Sequence, residues 1–242
     1  MPSRPALVYL DAYLLGDPLF VSGLARDLAE RQKRGGGGVV LVHGAGEAGE
    51  RAVEATGADV RHAAGALVTT EATAPLVERA ARELNRQIVH ELNESGVSAV
   101  RVVGADRGLL KPGPEGAVAV GKSGWIGTLA RSGACVVVLA MGDAGAPALT
   151  PLDPVRSAGA LSKALRLDPV VWLVGGRRLP GSGPSGSGEA LDPQRLSDAT
   201  PALRRMPELV ADGVAVCIAP VASLREGGVP DGLRIGGEEA AR

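Results

Sequence analysis

Lysine is scarce in this chain. Lys33, Lys111, Lys122 and Lys163 are the only four among 26 basic residues, so arginine carries nearly all the positive charge. A basic excess is missing too: the formal net charge is -1, which speaks against nucleic acid or an anionic membrane as a partner. Only two cysteines occur, Cys135 and Cys217, each inside an apolar strand-like run, so they read as reduced core residues rather than a disulfide or metal pair. No His/Cys/Asp/Glu cluster has metal-ligand spacing, and no Gly-x-Ser-x-Gly elbow is present. No apolar run approaches the roughly 18 residues of a membrane helix, and the first residues lack the apolar core of a leader. The expectation is a cytoplasmic protein.

Against these absences stands one dense motif. Val39-Val40-Leu41-Val42-His43 is a strand buried on both faces, and Gly44-Ala45-Gly46-Glu47-Ala48-Gly49 follows it before helical character sets in at Glu50. A strand, a glycine turn and a helix N-terminus bring backbone N-H groups to the carboxyl end of a sheet, where phosphate and carboxylate are favoured. The turn fits G-x-G-x-x-G, yet a dinucleotide site also needs an acidic residue about 20 positions later. That region reads Ala63-Ala64-Gly65-Ala66, and a complete strand and helix precede the motif, so two features oppose the dinucleotide reading.

The remaining chain alternates strands with helices. Ala6 to Leu10 is a strand, and Asp17-Pro18 caps a helix in which Phe20, Leu24 and Leu28 recur. The longest helix runs from Thr70 to Ser95, with Leu76, Ala80, Leu84, Ile88 and Leu92 as its core face. Val97 to Val103 is expected as a buried strand, Leu109 to Gly121 as a hairpin and Cys135 to Ala140 as another strand. A helix after Pro154, a strand at Val170 to Val174, a helix around Pro201 to Ala211 and strands near Val214 to Ile218 and Leu233 to Ile235 complete the series. Residues 180–188 are almost wholly Gly, Ser and Pro, the composition of a loop or lid. The pattern predicts an α/β fold, a three-layer αβα sandwich with a mostly parallel central sheet.

Taken in order, Val42-His43-Gly44-Ala45-Gly46, Gly65-Ala66-Leu67-Val68-Thr69, Leu84-Asn85-Arg86 and Gly104-Ala105-Asp106 resemble the amino-acid kinase family, most of all its acetylglutamate kinase members. The resemblance implies one domain over 1-242, its acceptor-side half about 1-150 and its nucleotide-side half about 151-242. It implies ATP with Mg as cofactor, a small carboxylate or phosphate as ligand, and a homo-oligomer. It also implies roles: His43, Gly44, Ala45 and Gly46 as an anion cradle, Gly65, Leu67 and Asn85 on the acceptor side, and Asp153 as the catalytic carboxylate; Gly175, Arg177 and Arg178, after the strand at Val170 to Val174, are the candidates to meet the nucleotide in place of lysine.

Each role has a plainer rival. His43 also reads as a hydrogen-bonded strand-end residue, Asn85 as an exposed helix residue, and Asp153 as the N-cap of the helix that Pro154 opens. Arg177 and Arg178 also read as solvated loop charges, Asp106 as a turn former, and Trp125 and Trp172 as core or subunit contacts. The family pattern is then broken where its charge belongs. Tyr9 stands on or near the lysine position of the first strand, Cys217 best matches a second lysine, and Leu67 takes the place of an arginine for the acceptor carboxylate. Losing one such charge typically costs about 10²- to 10³-fold in rate. Two expectations follow: a weakened phosphotransferase, or a subunit that binds a nucleotide or small anion without turnover.

Overall fold

The computed structural model describes residues 4–174 and 203–236. The expected nucleotide contacts Gly175, Arg177 and Arg178, and the Gly/Ser run 180–188, lie outside the described residues.

Seven strands, numbered along the chain, form the main sheet: β1 (Ala6–Tyr9), β2 (Val39–His43), β3 (Ala99–Val103), β4 (Cys135–Leu139), β5 (Val170–Val174), β6 (Val216–Pro220) and β7 (Leu233–Ile235). Their order is β7-β6-β5-β1-β2-β4-β3. All pairs are parallel except β6 with β7. Among the described residues the α-helices are α1 (Ala12–Leu15), α2 (Pro18–Lys33), α3 (Gly46–Glu54), α4 (Ala74–Glu94), α5 (Gly124–Arg131), α6 (Pro154–Leu165) and α7 (Met206–Ala211).

Branched apolar residues in unbroken runs make this sheet, because a strand covered on both faces has no polar side to present. The two-residue period then divides each run between two layers. Val8, Leu41, Val137, Val171 and Cys217 pack under Leu24 and Leu28 of α2 and Ile88 and Leu92 of α4. Leu7, Tyr9, Val40, Val136, Trp172 and Ile218 pack under Ile126 of α5, Val155 and Leu161 of α6 and Met206 of α7. These are the three layers. A third cluster joins Val53 of α3 to Val77 and Ala81 of α4 above the carboxyl ends of the strands.

Three local expectations change. The segment read as a buried strand at Val97 to Val103 holds the edge strand β3, with Val100 and Arg101 exposed and, within the strand, only Val102 and Val103 buried. The core face of α4 runs through Val77, Ala81, Asn85, Ile88 and Leu92 rather than through Leu76, Ala80 and Leu84. A strict four-residue spacing turns about 40° per step around a helix of 3.6 residues per turn, so it cannot stay on one face. Finally, α3 begins at Gly46, inside the glycine motif, rather than at Glu50.

One buried cation ties distant parts together. Arg31 of α2 is 1% exposed. Its Nε donates to Gly37 O at 2.7 Å, its Nη2 to Gly228 O at 2.8 Å, and its Nη1 to the carbonyls of Leu224 and Glu226. Beside it, the Arg225 Nε atom lies 2.6 Å from Asp27 Oδ1.

The chain leaves β1 toward β2 on one side, and from β5 the sheet extends to β6 on the other. In parallel sheets such a divergence opens a crevice at the carboxyl ends of the strands. The glycine turn after β2 stands at its edge.

Candidate functional site

The crevice holds a cavity of ≈ 220 Å³ lined by Tyr9, Leu10, Ala12, Gly44, Ala45, Gly46, Glu50, His62, Gly65, Leu67, Pro151, Leu152, Pro154 and Arg205. A wider groove of ≈ 810 Å³ runs over Ala52, Leu76, Ala80 and Arg101, but none of the glycine turn reaches it. The smaller cavity is where the sequence motif and the carboxyl ends of the strands coincide, and we take it as the site.

Two glycines of the turn are fixed by geometry. Gly46 has φ +57, a left-handed conformation that strains any residue with a Cβ. A Cβ on Gly44 would stand 3.1 Å from Pro154 Cγ, at the start of α6. The turn therefore brings α3 and α6 together with their N-termini beside the cavity. Glu50, one helical turn after Gly46, faces the same space and lies 3.4 Å from His62 Nε2.

The expected residues divide as follows. Gly44, Ala45, Gly46, Gly65 and Leu67 line the cavity. His43 does not: it is 0% exposed, with Nδ1 2.8 Å from Gly44 O, and burial lowers its pKa to about 4. Asn85 does not either. It is not an exposed helix residue but a buried partner of His43, with Nδ2 2.8 Å from Nε2. Cys217 lies in the layer under α2, its Sγ 3.4 Å from Pro230 O, away from the cavity. Asp106 accepts from Val103 N at 2.8 Å as a turn former.

Asp153 caps α6 through Val155 N at 2.9 Å, and its side chain is fully buried. Its partner is a residue that no motif announced. Arg205 Nη1 donates to Asp153 Oδ1 at 2.7 Å and Nη2 to Oδ2 at 2.5 Å. The same guanidinium binds Glu208, Nε to Oε1 at 2.8 Å and Nη2 to Oε2 at 2.6 Å, and Nη1 has a long contact of 3.5 Å with Gly65 O. An arginine has five N-H donors, and these five contacts engage all of them. Burial opposes the Arg205 charge, but hydrogen bonds to Glu208 and Asp153 outweigh it and hold the guanidinium firmly protonated. Gly65 is the seat for this arginine: a Cβ there would fall 2.3 Å from Nη1.

Tyr9 adds a neutral group to the lining. Tyr9 packs against Trp172 at a tilt of 58°, with centroids 4.5 Å apart, and points its hydroxyl at Asp11 Oδ2, 3.4 Å away. Burial, then the Asp11 charge, pushes the phenol well above its ordinary range, and burial also raises the Asp11 carboxyl. Tyr9 therefore offers a neutral hydroxyl where the family resemblance implies a cation.

A three-layer αβα chain with a glycine-turn cleft at the carboxyl edge of a parallel sheet is a small-ligand-binding scaffold by architecture. The model of the amino acid kinase family matches residues 14–171, and the chain belongs to that family. Among curated proteins it is similar to acetylglutamate kinase of Chloroflexus aurantiacus, 32% identical over 110 residues, which are 45% of this chain and 42% of that protein. The match thus spans less than half of that relative's length. Among solved structures, isopentenyl phosphate kinase superposes with a TM-score of 0.62 at 16% identity, covering 96% of this chain and 100% of that one. The N-acetylglutamate synthase of Neisseria gonorrhoeae gives 0.67 at 20% identity, covering 94% and 59%. At these identities the likeness shows the fold alone.

The family implies a magnesium-bound nucleotide, and the described residues fit one poorly. The cavity is smaller than the roughly 300–1,000 Å³ usual for ligand pockets. Its lining arginine has no free donor, and Glu50 adds a carboxylate to the lining.

Proposed function

We propose that the chain binds a small ligand at the Gly44-Ala45-Gly46 turn and has lost efficient phosphoryl transfer, acting as a non-catalytic subunit of the amino acid kinase fold. The carrying observation is the engagement of every Arg205 donor by Asp153, Glu208 and Gly65. Phosphoryl transfer needs cations aimed at the charge that spreads over the oxygens in flight. Among the described residues, no lysine lines the cleft and its arginine is already paired. Asp153 is then a structural carboxylate that fixes Arg205 and starts α6.

A second reading has support from the turn itself. A left-handed Gly46 at the start of α3 suits an oxyanion, as in a kinase acting on a small carboxylate with ATP and Mg. There Gly175, Arg177 and Arg178 would supply the nucleotide contacts. Coupled measurement of ADP release, with N-acetylglutamate and related small acids, separates the two when run beside calorimetric titration of Mg-ATP. Binding of a small acid or nucleotide without turnover is the expected result. Turnover that Gly44→Ala abolishes would overturn the non-catalytic reading. We also propose one domain over 1-242 that self-associates, which light scattering of the purified protein tests.

A further inference from the structure

We infer that His43 and Asn85 are positioning residues which aim the peptide plane of the glycine turn into the cleft. The inference rests on reading that cleft as a ligand site. Neither residue touches the cavity, and both are 0% exposed.

The hydrogen-bond pattern has one consistent solution. Gly44 O only accepts, so the ring nitrogen 2.8 Å from it, Nδ1, must carry the proton. Nε2 is then a bare lone pair and needs a donor, which Asn85 Nδ2 supplies at 2.8 Å from α4. Turning the amide over would place Oδ1 against Nε2, move the ring proton there, and set the Nδ1 lone pair against Gly44 O. The second Nδ2 hydrogen reaches toward Val137 O at 3.4 Å. This orientation leaves Asn85 Oδ1 buried without a partner.

The consequence for the turn follows from the planar trans peptide, in which a carbonyl and the next N-H point in opposite directions. With Gly44 O held back to His43, the Ala45 N-H is directed to the other side, where Gly44 and Ala45 line the cavity. The chain from Asn85 to His43 to Gly44 O thus sets a backbone donor without either side chain entering the site.

The test uses nitrogen-15 spectra of the imidazoles, simple in a chain with three histidines. His43 is expected as the Nδ1-H tautomer, unprotonated at Nε2 from pH 8 down to 5; an Nε2-H tautomer would overturn the proposal. The His43→Leu/Asn85→Leu double variant replaces both polar partners by apolar ones, so it should fold. Its Ala45 and Gly46 amide signals should move, and affinity for inorganic phosphate should fall about tenfold or more, the weight of one good hydrogen bond. Unmoved amide signals with unchanged affinity would refute positioning. If the wild type binds no phosphate while the amide signals still move, the anion reading of the cleft fails and the positioning role stands. Asn85→Asp, of the same size, covers a double variant that does not fold. Its carboxylate should draw a proton onto His43 Nε2, and an Nε2 that stays bare would refute the coupling.

Discussion

Replacing Arg205 by Met removes the partner of a carboxylate whose side chain is fully buried. Breaking a buried pair from one side typically costs about 3–5 kcal/mol, because the other charge is stranded. Two features lower the figure here. The Arg205 side chain is 30% exposed, so solvent already screens part of the pair, and Arg156 Nε remains 3.5 Å from Asp153 Oδ2. We therefore expect a loss of about 2–3 kcal/mol, or roughly 4–12 °C in melting temperature for a chain of this size. Asp153→Asn keeps the helix cap, since Asn serves that position as well as Asp. Combined with Arg205→Met it should restore much of the loss, giving a coupling energy of about 1–3 kcal/mol in the double-mutant cycle. Calorimetric unfolding of the four proteins reads the cycle directly. A melting temperature within about 1 °C of wild type for Arg205→Met, or additive effects in the double variant, would show that Asp153 does not depend on this arginine.

Acid should destabilise the protein through His43. The unfolded chain takes up the imidazole proton near 6.5 and the folded one only at about 4, so stability is complete above neutrality and declines as pH falls between those values. The His43 share of the loss from pH 7 to 5 is about 2 kcal/mol, read as a smaller shift of urea midpoint in the His43→Leu/Asn85→Leu variant than in wild type. Gly65→Ala should cost about 2–4 kcal/mol, since φ is +80 and the new Cβ evicts Arg205; in an Arg205→Met background the cost should shrink to the backbone strain of about 1–2 kcal/mol. Arg31→Leu leaves the carbonyls of Gly37, Leu224, Glu226 and Gly228 without their donor and should cost about 2–4 kcal/mol by chemical denaturation.

The layers were legible in the sequence because their cause is local. A run such as Val39 to Val42 has no polar face, and a cap such as Asp17-Pro18 or Asp153-Pro154 fixes where a helix starts. The glycine turn was legible for the same reason. Arg205 was not, since it sits 52 residues from Asp153 and 140 from Gly65, and no periodicity relates positions that only the sheet brings together. An Asp before Pro154 reads as a helix cap satisfied by backbone N-H groups, so it gave no signal for a cation. Asn85 was misplaced by a smaller error. With the core face of α4 drawn through Leu84, its neighbour points outward; drawn through Val77 and Ala81, the same face carries Asn85 inward to His43.

The Arg31 clasp has a consequence for the order in which the protein can be made. Its guanidinium is complete with α2, yet the carbonyl of Gly228 lies 197 residues further along the chain. At a translation rate of about 5–20 residues per second, roughly 10–40 s pass before that acceptor leaves the ribosome. Through that interval α2 can lay Leu24 and Leu28 on the sheet but must keep one end open to water around Arg31. The first βαβ unit therefore folds early and closes last, and a synthesis stalled before Leu224 leaves a nascent chain with a charged, unsealed core.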